Sequence, residues 1–180
     1  MVYMFLADGF EEVEALAPLD ILRRAGVEVS TVGVTGVYVT GAHDIVVKAD
    51  IELADIKKEE LDAVILPGGL GGTNNMDASS EVKKIVQYAA DNNKLVCAIC
   101  AAPSILGKMG LLDGKEATCY PGFEDTFKGG KYVKQSVVKC NNFITSDGMG
   151  SGYKFGFEIT AALCGKETAD KIKEQIQYGE

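Results

Sequence analysis

The stretch Leu95-Val96-Cys97-Ala98-Ile99-Cys100-Ala101-Ala102-Pro103 decides the fold. Its first five residues are apolar without a polar break, as in a strand covered on both faces. Pro103 suits the first turn of a helix, where its missing N–H goes unused. A doubly covered strand running straight into a helix belongs to a sheet with helices on both sides.

Working outward, the same alternation repeats. Val2 to Leu6 predicts a strand ending at Asp8-Gly9, followed by a helix over Glu11 to Ala25 closed by Gly26. Val27 to Val32 predicts a strand, and Val37 to Thr40 with Asp44 to Lys48 predicts a hairpin around Gly41-Ala42-His43. Leu61 to Leu66 is a further apolar strand that enters Pro67-Gly68-Gly69. Ser79 to Asn92 predicts a helix with Ser79 or Ser80 as its cap, and another starts near Ala101 and stops at Gly110. Strand-like segments follow at Glu116 to Cys119, Ser136 to Lys139 and Phe143 to Thr145, then helices over Tyr153 to Cys164 and Lys166 to Gln177. The expected fold is a single doubly wound α/β domain over residues 1–180, with a mostly parallel sheet and helices on both faces.

Composition narrows the function classes. The 180 residues suffice for one sizeable core, and 47% are hydrophobic against 24% charged, the balance of a globular protein. With 26 acidic against 18 basic residues the net charge is -8, which argues against nucleic acid or an anionic membrane as partner. The N-terminus has no basic region ahead of a long apolar run, and Leu95 to Leu112 is broken by Pro103, Gly107, Lys108 and Gly110. A cytoplasmic location is therefore expected. Five cysteines, an odd count, point to free thiols rather than a disulfide framework.

Ligands of such sheets bind beyond the carboxyl ends of the strands. Cys100 lies there, at a sharp strand-to-helix junction that would display its side chain. Unpaired N–H groups at a helix start favour a thiolate, so Cys100 is expected to be more acidic than an ordinary thiol of pKa about 8.5. Cys97 shares the spacing of a redox pair with Cys100 but falls inside the predicted strand. Three extended residues span roughly 10 Å, beyond the roughly 7 Å that a disulfide allows between Cα atoms, so Cys97 reads as core.

Glu11, Glu12 and Glu14 open the first helix. Pro18 removes the hydrogen bond to the carbonyl of Glu14 and predicts a kink there. A carboxyl in an apolar site beside a thiolate would have a raised pKa and could move a proton near neutral pH. Pro67-Gly68-Gly69-Leu70-Gly71-Gly72-Thr73 is neither a dinucleotide nor a Walker loop. Its glycines could instead bring backbone N–H groups to a reacting centre. His43 is the only histidine and reads as a turn residue, with no ligand cluster for a metal.

Taken together, Gly9-Phe10-Glu11-Glu12-Val13-Glu14-Ala15, Leu66-Pro67-Gly68-Gly69, Ala98-Ile99-Cys100-Ala101-Ala102-Pro103 and Phe155-Gly156-Phe157-Glu158 resemble the ThiJ/PfpI family over nearly the whole chain. The subgroup is that of the Parkinsonism-associated protein deglycase and its bacterial relative YajL. The resemblance implies a flavodoxin-like sandwich, similar to class I glutamine amidotransferases, that forms homodimers. It implies Cys100 as nucleophile, Glu14 as its protonated partner, Gly69 and Ala101 as oxyanion-hole donors, and Gly68 and Tyr120 at the pocket. No cofactor or metal is implied. Human-type members carry a histidine before Pro121, where this chain has Tyr120, and an arginine before Gly148, where it has Asp147.

Three functions are open on this reading. The first is glyoxalase or deglycase chemistry on a small reactive carbonyl, a 2-oxoaldehyde or its adducts. The second is a sensor of oxidants or a thiol-dependent chaperone that works through oxidation of Cys100. The third, a cysteine peptidase or amidase, would need His43 as its base.

Overall fold

A computed structural model describes residues 1–179. In chain order the elements are β1 (Val2–Leu6), α1 (Glu12–Arg24), β2 (Val29–Gly33), β3 (Tyr38–Thr40), β4 (Val46–Lys48), β5 (Ile51–Glu52), β6 (Ala63–Leu66), α2 (Leu70–Ala78), α3 (Ser80–Asp91) and β7 (Leu95–Ile99). Then come α4 (Pro103–Lys108), β8 (Glu116–Ala117), β9 (Lys131–Tyr132), β10 (Val137–Cys140), β11 (Phe143–Ser146), α5 (Gly152–Cys164) and α6 (Lys166–Gln175).

Seven strands form the central sheet in the order β10-β11-β7-β6-β1-β2-β5. Every pairing is parallel except β10 with β11, which are antiparallel at the edge. The interior strands are apolar throughout because both faces are covered, and alternate residues feed two separate cores. Tyr3, Phe5, Val64, Leu66, Val96 and Ala98 join one core with Val82, Ile85 and Val86 of α3 and Ile105 and Leu106 of α4. Met4, Leu6, Ile65, Cys97 and Ile99 join the other with Leu19 and Leu22 of α1 and Phe155 and Ile159 of α5. Such a strand cannot slip by one residue without exchanging both cores.

The expected α/β sandwich is met, and the hairpin is β3 paired antiparallel with β4. Ser79 caps α3, its hydroxyl accepting the N–H of Val82 at 3.3 Å. Other expectations need correction. The glycine-rich segment after Pro67 is not all loop, since α2 occupies Leu70–Ala78. Helix propensity argues against two successive glycines there, but close contact between Gly71, Gly72 and the backbone of residues 8–10 decides the matter. The helix after β7 begins at Pro103, two residues later than expected, because residues 100–102 form a turn. α1 runs through Pro18, as its expected span from Glu11 to Ala25 requires.

α1 and α5 cross closely where Gly156 faces α1. A Cβ built on Gly156 would lie 2.8 Å from Cδ1 of Ile21 and 3.0 Å from Cα of Pro18. Gly156→Ala is therefore expected to lower stability by about 1–3 kcal/mol through overpacking. Urea unfolding should show a lower midpoint with an unchanged m-value.

Candidate functional site

The parallel strands β6, β7 and β11 end side by side, and the turns that follow them build the site. β7 hands over to Cys100, whose φ is +65°. A non-glycine residue in this region costs roughly 1–2 kcal/mol. Two bonds hold it there: the Cys100 N–H donates to the Ser146 carbonyl at 2.9 Å, and the Cys100 carbonyl accepts the Tyr120 N–H at 2.8 Å. Neighbouring strand β11 and the segment after β8 thus fix the turn from both sides.

Glu14 approaches from the first turn of α1. The Glu11 carboxylate caps that helix by accepting the Glu14 N–H at 2.7 Å, and the Glu11 N–H donates to the Gly68 carbonyl at 3.0 Å. The Gly68 N–H in turn donates to Oε2 of Glu14 at 3.0 Å. Glu14 is 1% exposed, and its carboxyl is hydrogen-bonded to the Cys100 thiol. Only glycine fits between them. A Cβ on Gly68 would collide with Oε2 of Glu14 and lie 2.6 Å from Cβ of Cys100.

Gly69 turns the chain with φ +83°, and its N–H and that of Ala101 lie beside the Cys100 sulfur and favour the thiolate. Sequence reasoning thus reached Cys100, Glu14, Gly69 and Ala101, and these four come together. It missed Gly68 as a direct donor to Glu14, although Pro67-Gly68-Gly69 marked the place. It also missed Ser146, for which one carbonyl oxygen leaves no signal in residue type.

The electrostatics correct one expectation. The thiol is not made acidic by a helix start, because α4 has six residues and begins beyond the turn. Burial and the adjoining Glu14 carboxylate push the Cys100 thiol up to about 12, against the two N–H donors that lower it. Burial likewise raises Glu14 to about 7, opposed by its bonds to Cys100 and Gly68. Both shifts resist the same state, two negative charges in one dry gap. A thiolate forms here only while Glu14 keeps a proton, so the pair gives up its first proton near pH 7 and holds a single one above it.

Tyr120 is exposed at 51% beside Gly148 and lines a cavity of about 710 Å³. Asp147 lines it too, with Oδ1 accepting from the Ser151 hydroxyl at 2.6 Å. His43 is elsewhere and is not a bare turn residue. Its Nδ1 pairs with Oε2 of Glu12 at 2.8 Å, and its backbone N–H donates to Oε1 at 2.7 Å. Burial works to raise the pKa of Glu12, but the bonds from His43 outweigh it and leave it low, while the bond to Glu12 raises His43. Glu11, Glu12 and His43 do cluster within 4.8 Å, contrary to the sequence reading, but Glu12 and Glu11 already accept N–H groups. The other cysteines are free: Cys97 and Cys119 are buried, Cys140 is half-buried and Cys164 is exposed. Among the described residues, no helix is long and apolar enough to cross a membrane.

The DJ-1/PfpI family model matches residues 1–162. Protein dj-1beta of Drosophila melanogaster is 39% identical over 96% of this chain and 94% of its own length. A Pyrococcus abyssi protein named a deglycase is 30% identical over 90% of this chain and 98% of its own. The structure of Toxoplasma gondii DJ-1, described as oxidized, superposes with a TM-score of 0.94 at 33% identity, covering 99% of this chain and 98% of that one.

The raised carboxyl makes stability pH-dependent. An unfolded Glu14 would titrate near 4.5, so between that pH and about 7 the folded chain binds more protons, and stability falls as pH rises through the window. The loss is of order 3 kcal/mol. Glu14→Gln should flatten this slope, measured as urea midpoints at pH 5 and pH 8. An equal slope in both proteins would place the titration elsewhere.

Proposed function

The chain belongs to the DJ-1/PfpI family, and on that premise we propose that it converts 2-oxoaldehydes, or their adducts, without a cofactor through Cys100 and Glu14. The observation that carries this reading is the one-proton pair of Glu14 and Cys100, which joins a nucleophile to an acid–base group. The name of the Pyrococcus abyssi relative, a deglycase, supports it.

In the proposed sequence Glu14 holds the shared proton, and the sulfur adds to the aldehyde carbon of methylglyoxal to give a hemithioacetal. Glu14 protonates the new oxygen, then moves a proton from the former aldehyde carbon to its neighbour through an enediol. The result is a lactoyl thioester on Cys100. Water hydrolyses it to lactate and restores the thiol, with no change in total oxidation state. The Gly69 and Ala101 N–H groups hold the sulfur before attack, and afterwards the oxyanion is the next acceptor in their reach. A base at Tyr120 is not required, which matters because a phenol of pKa about 10 accepts protons poorly at pH 7.

Cys100→Ser is expected to abolish lactate formation, and Glu14→Gln to lower kcat/KM by roughly 10² to 10⁴. The active form carries one proton for the pair, so kcat/KM should rise as pH rises through about 7. Absence of lactate from the pure wild-type protein would end the proposal.

A second reading, sensing of oxidants through Cys100, is favoured by the same site and by a similar protein whose solved structure is described as oxidized. A protonated Glu14 could donate to a sulfinate oxygen. Mild peroxide should then add two oxygens to Cys100 ahead of Cys164, by mass spectrometry. Because Cys164 is the more exposed thiol, oxidation led by Cys164 would show that exposure alone governs it. The proposal of a homodimer draws on Val13, Ile45 and Tyr153, exposed apolar residues beside one cavity along α1. An amidase is not proposed, since His43 is engaged with Glu12 away from the thiol.

A further inference from the structure

The end of β11 holds Cys100 from both sides. The Ser146 carbonyl accepts the Cys100 N–H at 2.9 Å. Thr145, beside it, accepts the Thr118 N–H through Oγ1 at 2.9 Å. Two residues further on, the Tyr120 N–H donates to the Cys100 carbonyl at 2.8 Å. Cys100 keeps its φ of +65° through these anchors, because nothing in its own residue type favours that region. What fixes Ser146 therefore matters to the sulfur.

Ser146 is fully buried, and its hydroxyl sits in a small polar knot. Its Oγ lies 2.8 Å from the Ser136 carbonyl and 2.6 Å from Oγ of Ser151. Ser151, also buried, lies 2.6 Å from Oδ1 of Asp147 and 2.8 Å from the Gly148 carbonyl. Four contacts thus compete for two hydroxyl hydrogens. Both carbonyls have a second donor. Asp147 gives its N–H to the Ser136 carbonyl at 3.1 Å, and Ser151 gives its N–H to the Gly148 carbonyl at 2.9 Å. The Asp147 carboxylate only accepts, and hydrogen bonds to a charged acceptor are the stronger ones. The allocation that serves every acceptor sends the Ser146 hydrogen to Ser151 and the Ser151 hydrogen to Asp147.

We infer that Ser151 and Asp147 are positioning residues for the nucleophile: a directed relay from Ser146 to Ser151 to Asp147 locks the end of β11 and, through it, the turn at Cys100. This rests on the reading of Cys100 as the reacting atom. Both residues act through the Ser146 peptide. Hydrogen bonds in such a chain polarise one another, so the carboxylate at its end strengthens both links. Without the Ser151 hydroxyl, Asp147 loses its donor and Ser146 is left to turn toward Ser136 alone. Cys100 then relaxes from its strained φ and carries the sulfur away from Glu14 and from the Gly69 and Ala101 N–H groups.

Alkylation of Cys100 by iodoacetamide, followed by mass spectrometry across a pH series, tests this without turnover. In the wild-type protein the rate should rise through about 7, as the pair loses its first proton. Ser151→Ala should move that rise up by about one pH unit, toward the ordinary thiol value of about 8.5, and slow the reaction at pH 7 roughly tenfold. Asp147→Asn keeps an acceptor oxygen without the charge and should give a smaller shift of the same sign. Ser151→Thr keeps the hydroxyl and should restore the wild-type profile. Exposed Cys164 is the internal reference and should react alike in all four proteins. A purely structural hydroxyl would lower the urea midpoint and leave the alkylation profile unmoved. That result in Ser151→Ala would overturn the inference, as it would in half-buried Asp147→Asn should Ser151→Ala not fold. So would a Ser151→Thr profile equal to that of Ser151→Ala. A wild-type rate that first rises at the ordinary thiol value would sink both this inference and the reading beneath it. If the profiles shift as expected while the wild-type protein makes no lactate from methylglyoxal, the positioning role stands and the proposed carbonyl chemistry fails.

Discussion

The site depends on the exclusion of a second negative charge from the gap between Glu14 and Cys100. Glu14 is buried and Cys100 half-buried. Held against each other, they lose a first proton near pH 7 and resist losing the second, since ionising both would place two negative charges side by side in a partly buried site. The surrounding backbone donors act on opposite sides of this balance: Gly68 favours the carboxylate, while Gly69 and Ala101 favour the thiolate. The proton can therefore pass between the partners with little change in the total charge of the site. That is the property an acid–base group next to a nucleophile requires.

The fold supplies this gap by bringing three turns to one sheet edge. β6 delivers Gly68 and Gly69, β7 delivers Cys100, and β11 delivers the Ser146 carbonyl that anchors it. α1 adds Glu14 from outside the sheet, tied back through the bond between Glu11 and Gly68. The strain of Cys100 at φ +65° is tolerable because both of its peptide groups are bonded to neighbouring segments. Glycine at 68 is a spacing requirement rather than a conformational one, since its φ is unremarkable and only its missing Cβ matters.

Much of this was legible before any coordinates. Unbroken apolar runs such as Leu95 to Ile99 announce doubly covered parallel strands, and the place of Cys97 inside that run, with Cys100 at its end, already separated core thiol from displayed thiol. What the sequence could not carry was anything decided by contact between distant backbones. α2 forms from a glycine-rich segment because Gly71 and Gly72 must pass close to residues 8–10, and that overrides local propensity. His43 acquires a carboxylate partner thirty-one positions away, which no local pattern records. The sign of the thiol shift was misread for a similar reason. A helix start nearby suggested acidity, but the turn at residues 100–102 delays the helix, and the carboxylate across the gap is the closer charge.

The substitution of Tyr120 for the histidine of human-type relatives follows from the same proton. A histidine beside the thiol would offer a second group able to titrate near neutrality, and the pair would no longer be closed. Tyr120 donates its backbone N–H to the Cys100 carbonyl whatever its side chain is, so the strained turn survives the exchange. The phenol ring lines the cavity beside Gly148, and in the proposed chemistry the acid–base duty falls on Glu14. With Asp147 standing where human-type relatives carry an arginine, positive charge on the cavity lining comes from Lys134 and Lys154. The chain thus keeps the Cys100–Glu14 pair and its backbone supports while the residues around the pair differ.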